Sequence, residues 1–151
     1  MNCSKQIATT VGVMVTLMFA HPGYGQKHQC TEGEGRAALE AVTLHSWDAL
    51  YKSYKSSRLC DDGAIGEGYS ESVARILSDH WNTLPRLSQL AGKDADFRAF
   101  VIRHLDATLN MDDVEKIKKS ANAQCPRGLR TLCDDLAKQA DSALKENAST
   151  P

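Results

Sequence analysis

The sequence predicts an all-α fold, a compact bundle of about five helices reinforced by disulfides. Apolar residues recur at three-and-four spacing in five segments, which is the period of an amphipathic helix. No stretch alternates apolar and polar residues with period two, so no strand is expected. Four cysteines, Cys30, Cys60, Cys125 and Cys133, follow a predicted export signal, and an even set in an oxidising compartment predicts two disulfides.

Residues 1–25 have the pattern of a secretory signal peptide. Lys5 precedes an apolar run over residues 7–20, and Gly23 and Gly25 are small enough for the −3 and −1 positions of a cleavage site. The run is shorter than the roughly 20 apolar residues that a membrane span needs. We therefore expect a mature chain that begins near Gln26, has no membrane span and is periplasmic or secreted.

The first half of the mature chain is predicted to hold two helices. Segment 36–56 carries one continuous apolar stripe and predicts a single long helix. Segment 62–81 carries a second stripe, but each of its three early glycines costs about 1 kcal/mol relative to alanine in a helix interior, so irregular first turns are expected. Pro85 then interrupts the pattern, and residues 84–90 are predicted to form a short apolar turn.

The second half is predicted to hold three helices with clear start signals. Asp94 is placed to cap a helix over 95–109. Asn110 is placed to cap the next, over 111–124, and the last helix runs over 129–144.

These segments predict one helical domain over residues 26–145, followed by a disordered polar tail over 146–151. The chain has 18 basic and 19 acidic residues, and both signs are mixed along it. A nucleic-acid-binding surface needs clustered positive charge, so no nucleic-acid partner is expected.

Helix geometry restricts the pairing of the cysteines. A straight helix over 36–56 is about 30 Å long, and Cys30 and Cys60 flank its opposite ends. A disulfide needs Cα atoms within about 7 Å, so Cys30–Cys60 is disfavoured, although its complement Cys125–Cys133 remains open as a local clip. Long-range pairings stabilise by about 3 to 5 kcal/mol, and among them Cys30–Cys125 with Cys60–Cys133 is slightly preferred.

The densest polar cluster lies at residues 60–69 and contains Asp61, Asp62, Glu67 and Tyr69. It lacks the ligand spacing of a calcium-binding EF-hand loop. One interpretation is structural, with Asp61 and Asp62 capping and charging the start of a helix. The other is functional, with these four residues forming a partner-binding surface.

Three histidines offer a different site. His45, His80 and His104 lie on three predicted helices and would form a catalytic or metal site if they converged near a carboxylate. The cysteines lack the close spacing of zinc ligands. No catalytic set, metal-ligand set or cofactor motif is recognisable, so no catalytic residue, metal or cofactor is assigned.

Two short segments resemble a known family. Tyr51-Lys52-Ser53-Tyr54-Lys55-Ser56-Ser57-Arg58-Leu59-Cys60 and Leu132-Cys133-Asp134-Asp135-Leu136, within an exported helical domain, resemble the periplasmic immunity proteins of type VI secretion amidase effectors. The resemblance implies a helical protein, often dimeric, that plugs the active-site groove of a peptidoglycan-cleaving enzyme. It also implies a bridge between Cys60 and Cys133.

The sequence thus favours an exported helical binding protein with a protein partner, which the resemblance suggests is a secreted hydrolase. A homodimer is a further expectation from the resemblance. Two alternatives remain: a small secreted enzyme or metal-binding protein that uses the three histidines, and a structural or stress protein of the envelope.

Overall fold

The computed structural model describes residues 30–33, 35–36 and 44–149 of the chain. This part contains six α-helices and no strand, which confirms the predicted all-α fold. In chain order the helices are α1 (Trp47–Ser57), α2 (Gly63–Asp79), α3 (Leu84–Lys93), α4 (Ala95–Arg103), α5 (Met111–Ala123) and α6 (Arg130–Ser149). Short 3₁₀ turns, Arg58–Cys60 and Trp81–Thr83, precede α2 and α3. The predicted signal peptide lies outside the described residues.

Side-chain caps fix the helix starts. Ser46 accepts a hydrogen bond from the Ala49 amide at the start of α1, and Asp94 accepts one from the Phe97 amide at the start of α4. Asn110 accepts one from the Asp112 amide at the start of α5. These bonds satisfy amides that have no partner within the helix, and they confirm the predicted caps at Asp94 and Asn110.

One apolar core joins the six helices. The largest fully buried side chains come from every helix: Trp47, Tyr69, Phe97, Phe100, Leu50, Ile76, Leu77, Leu84, Leu87, Leu105, Ile117 and Leu136. Aromatic rings of α1, α2 and α4 meet in this core, and Phe100 lies 4.9 Å from Tyr54 and 5.1 Å from Tyr69 between ring centroids. This aromatic contact packs the end of α1 and the first half of α2 against α4.

The first predicted helix is shorter than expected. Residues 44–46 are not helical, and Ser46 begins a new helix at Trp47, so a single helix over 36–56 is wrong. Residues 37–43 lie outside the described part. Near Cys30, the Gly35 amide donates to the Thr31 carbonyl.

The disulfide pairing preferred from the sequence, Cys30–Cys125 with Cys60–Cys133, is wrong for the same reason, and the Cys60–Cys133 bridge that the resemblance implies is wrong with it. The bridges are Cys30–Cys60 and Cys125–Cys133, with Cα atoms 4.9 and 6.0 Å apart. Because α1 begins only at Trp47, Cys30 and Cys60 are not held at opposite ends of one long helix, and Cys30 bonds to Cys60. Cys125–Cys133 is the local clip, closed across a turn in which Gly128 adopts a φ of 79°.

Three smaller boundaries also differ from expectation. The predicted apolar turn at 84–90 is the helix α3, because Pro85 lies in its first turn, where proline is tolerated. Helix α4 ends at Arg103, where a helix to 109 was expected, because Asp106 accepts the Thr108 amide and begins a turn. Helix α6 continues to Ser149, so residues 146–149 are helical where a disordered tail was expected.

No helix in the described part of the chain is long and apolar enough to cross a membrane.

Candidate functional site

The connection between α1 and α2 exposes an apolar side chain. Leu59 lies in the 3₁₀ turn and is 50% exposed, the one large hydrophobic residue that is exposed among the described residues. Arg58 before it is also exposed, and its guanidinium lies 5.7 Å from the Tyr54 ring centroid. Cys60 after it is 3% exposed and bonded to Cys30. A turn that ends in a disulfide therefore presents Leu59 to solvent.

Asp61 anchors the same connection from its other side. Its carboxylate pairs with Arg103 and lies 3.1 Å from His104 Nε2, and its side chain is only 9% exposed. Burial alone would raise the pKa of Asp61, but the hydrogen bonds and charges of His104, and then Arg103, outweigh it and lower the pKa. Asp61 is therefore an ionised carboxylate that binds the turn to the end of α4.

Gly66 of α2 lies beside this anchor. A Cβ atom at position 66 would lie 3.4 Å from Asp61 Oδ1 and 3.8 Å from the Asp61 carbonyl carbon, which is ordinary van der Waals contact, so the position has room for an alanine. Gly63, at a φ of 52°, adopts the left-handed conformation at the first position of α2.

His104 connects Asp61 to a buried serine and a second carboxylate. Its Nδ1 lies 2.9 Å from Ser70 Oγ, and the Ser70 hydroxyl donates to Asp106 Oδ2 at 2.8 Å. Asp106 Oδ1 in turn accepts the amide and the hydroxyl of Thr108. We call Asp61, His104, Ser70 and Asp106 the buried chain, and it joins the 3₁₀ turn, α2 and the segment after α4.

A serine, a histidine and a carboxylate in sequence also form the catalytic triad of many hydrolases. Here, however, Ser70 is 3% exposed and His104 is 5% exposed. The Ser70 hydroxyl proton is directed to Asp106 and not to the histidine. The buried chain thus holds three parts of the fold together and does not present the serine oxygen to solvent.

The four predicted partner-binding residues have different surroundings. Asp62 and Glu67 are exposed, Asp62 also capping α2 through the Gly63 amide. Asp61 is largely covered by Arg103 and His104. Tyr69 is 2% exposed, with its hydroxyl 2.9 Å from Ser53 Oγ, so it belongs to the core and its assignment to a binding surface is wrong.

The three histidines occupy different positions. His45 is exposed before α1, His80 is exposed at the end of α2, and His104 lies in the buried chain. Within residues 30–33, 35–36 and 44–149, no group of three or more histidines, cysteines or carboxylates is arranged to hold a metal ion. A metal site formed by the three histidines is therefore absent from this part of the chain.

Sequence reasoning did not identify Leu59, Arg103, Ser70 or Asp106 as parts of one site. Their separation along the chain hides their contact, since Asp61 and Arg103 are 42 residues apart. The available signal is a group of three polar residues, Arg103, His104 and Asp106, around Leu105 at the end of an apolar helix. We call the exposed set Arg58, Leu59, Asp62 and Glu67 the junction surface.

Comparisons with protein-family models, with curated proteins and with solved structures gave no match to this chain.

Proposed function

We propose that this chain is an exported binding protein whose junction surface binds a protein partner, and that the partner is a periplasmic peptidoglycan-cleaving enzyme. The observation that carries the proposal is Leu59, half exposed in a turn that is anchored on both sides. The partner class follows from the resemblance of residues 51–60 and 132–136 to immunity proteins of type VI secretion amidase effectors.

The anchored turn has the physical properties of a binding element. Binding a flexible loop costs about 0.5 to 1.5 kcal/mol for each side chain that becomes ordered, and a preformed loop avoids part of this cost. The Cys30–Cys60 bridge holds one side of the turn, and the pairing of Asp61 with Arg103 and His104 holds the other. The turn that presents Leu59 is therefore held by contacts on both sides in the free protein.

The composition of the junction surface also suits a protein interface. Such interfaces place an apolar anchor at the centre and polar groups around it. Leu59 supplies the apolar anchor, and Arg58, Asp62 and Glu67 supply exposed charges of both signs within eight residues of it along the chain, over the 3₁₀ turn and the start of α2. A partner with an apolar pocket and a charged rim of both signs complements this surface.

The proposed periplasmic location agrees with the disulfide-bonded state of the cysteines. Disulfides persist in oxidising compartments and are rare in the reducing cytosol. All four cysteines that follow the predicted signal peptide are bridged. A periplasmic location supports a partner that acts on peptidoglycan.

A binding and inhibition assay tests the proposal. The mature chain is titrated by calorimetry into the purified hydrolase encoded by the adjacent gene, and cleavage of peptidoglycan is followed in parallel. Wild type is expected to bind and inhibit, and Leu59→Ala to weaken binding by about tenfold or more, as for a central interface residue.

Leu144→Ala is the matched control, because it removes the same atoms from a partly buried leucine on α6, away from the junction surface. It is expected to leave affinity unchanged. Equal affinity of wild type and Leu59→Ala would exclude the junction surface, and absence of binding by wild type would exclude this partner.

A further inference from the structure

We infer that the Cys30–Cys60 bridge is a site of thiol–disulfide exchange, at which an exported dithiol protein attacks the Cys30 sulfur and releases one side of the turn that presents Leu59. This exchange deepens the proposed function and rests on it for its effect on partner binding, but the exchange itself is a property of the free protein. It follows from the different surroundings of the two bridges.

Cys30 is the accessible end of its bridge. It is exposed, whereas Cys60 is 3% exposed and lies in the 3₁₀ turn. Gly35 places no side chain against the Cys30 sulfur, since a Cβ atom at that position would lie 3.6 Å from Cys30 Sγ. A thiolate breaks a disulfide by reaching one of its sulfurs, so attack on this bridge is directed to Cys30.

The Cys125–Cys133 bridge is less accessible. Cys133 is 0% exposed and belongs to the apolar core, and Cys125 packs against that core and is only partly exposed. The Trp81 indole donates to the Gln124 carbonyl, which holds the chain beside Cys125. A reductant therefore reaches Cys30–Cys60 first. This order concerns the rate of opening and is separate from how much each bridge stabilises the fold.

The dithiol supplies the electrons and protons of the exchange. A thiolate of the dithiol attacks Cys30 Sγ, the bond between the Cys30 and Cys60 sulfurs breaks, and Cys60 leaves as a thiolate that takes up a proton. The second thiol of the dithiol loses its proton, attacks the sulfur of the first and releases Cys30 as a thiol. The bridge thereby gains two electrons and two protons, and the dithiol is oxidised to a disulfide.

Opening the bridge removes one of the two anchors of the turn. Cys60 follows Leu59 directly, so the covalent link to Cys30 ends one residue from the exposed side chain. The pairing of Asp61 with Arg103 remains, and the turn is then held on one side only. A less ordered turn loses more conformational freedom on binding, so partner affinity is expected to fall about two- to tenfold.

Graded reduction of the free mature protein tests the order of opening. The folded protein is treated with dithiothreitol, quenched with an alkylating reagent and mapped by mass spectrometry. We expect alkylated Cys30 and Cys60 to appear about tenfold faster than alkylated Cys125 and Cys133. Equal rates, or earlier labelling of Cys125 and Cys133, would overturn the proposed exchange.

Two glycine variants test access to the Cys30 sulfur while keeping all four cysteines. Gly35→Val places a side chain against Cys30 Sγ and is expected to slow the opening of this bridge. Gly33→Val is the matched control, because a Cβ atom at position 33 meets nothing within 4 Å, and it should leave the rate unchanged. Equal rates in both variants would contradict attack at Cys30.

A trapping experiment identifies the attacked sulfur with a protein reductant. Thioredoxin whose second active-site cysteine is replaced by serine forms a mixed disulfide that it cannot resolve. Peptide mapping is expected to place this bond at Cys30. A bond at any other cysteine, or no trapped complex, would overturn the proposed exchange.

These measurements need no partner, so they separate the exchange from the proposed function. Calorimetry with the hydrolase then compares wild type with Cys30→Ser/Cys60→Ser, and Cys125→Ser/Cys133→Ser is the control that should keep its affinity. If the bridge opens selectively and no hydrolase binds, only the proposed function fails. If Cys30→Ser/Cys60→Ser binds as tightly as wild type, the link from the exchange to binding fails.

Discussion

Tyr69 is a core residue with one polar contact, and this distinguishes it from the residues of the junction surface. Its hydroxyl lies 2.9 Å from Ser53 Oγ, and its ring packs on Phe100. Tyr69→Phe keeps the ring and removes the hydrogen bond. We expect a loss of about 1 kcal/mol in the free energy of unfolding, the usual contribution of such a bond.

A double-mutant cycle with Ser53→Ala, measured by urea denaturation, checks this expectation. The double variant should lose little more than Tyr69→Phe alone, because both single changes remove the same bond. Strictly additive losses would show that the hydroxyls do not interact. Tyr69→Phe should leave partner affinity unchanged, since the side chain is 2% exposed.

Single residues differ in how far the sequence predicts their role. Asp94 and Asn110 act as predicted, because a cap requires only a polar side chain and an amide two or three residues away. Asp61 and Tyr69 belong to one polar cluster in the sequence, yet one anchors a turn and the other is buried. Their surroundings are set by α4, which lies far along the chain.

Among the connections between elements, the link from α1 to α2 depends most on a single charge. Asp61→Asn keeps the size of the side chain and removes the negative charge that Arg103 and His104 share. We expect the free energy of unfolding at pH 7 to fall by about 1.5 to 3 kcal/mol, the range for hydrogen bonds to charged groups.

The pKa of Asp61 determines how the stability difference between wild type and Asp61→Asn changes with pH. The folded pKa of Asp61 lies below its ordinary value of 3.8, so its contribution is fully present above pH 3.8 and is lost as the pH falls through the folded pKa. Wild type and Asp61→Asn should therefore converge in strong acid. Denaturation at several pH values measures the difference, and a constant difference would contradict the assignment.

Glu67→Gln is the control for this series. Glu67 is an exposed carboxylate of the same surface, and a surface substitution usually changes stability by less than about 0.5 kcal/mol. A loss as large as that of Asp61→Asn would show that the effect reflects surface charge in general.

At the scale of secondary-structure elements, the sequence predicts the helices better than the connections between them. The apolar stripe of residues 36–56 correctly indicates a helix over its second half, but it continues across Ser46, where a local cap starts α1 at Trp47. Periodicity does not report such a break when apolar residues on both sides stay in phase. The buried chain is harder still, because its contacts depend on how three separate segments pack.

At the scale of the whole molecule, the two disulfides have similar burial but close loops of different length. Each bridge joins a buried cysteine, Cys60 or Cys133, to a less buried one, Cys30 or Cys125. Cys30–Cys60 spans 30 residues and Cys125–Cys133 spans 8. The sequence analysis disfavoured Cys30–Cys60 because it placed the start of the first helix too early. An error in one helix boundary thus changed the predicted pairing of all four cysteines.

Because the two disulfides close loops of different length, removing each one is expected to lower the stability by a different amount. In the chain-entropy model, a bridge restricts the unfolded chain more when it closes a longer loop, which gives about 3.6 kcal/mol for 30 residues and about 2.5 kcal/mol for 8. We expect Cys30→Ala/Cys60→Ala to be less stable than Cys125→Ala/Cys133→Ala by about 1 kcal/mol. Urea denaturation at pH 7 measures both against wild type. Equal losses, or a larger loss from removing the local clip, would show that native contacts around Cys133 outweigh loop closure.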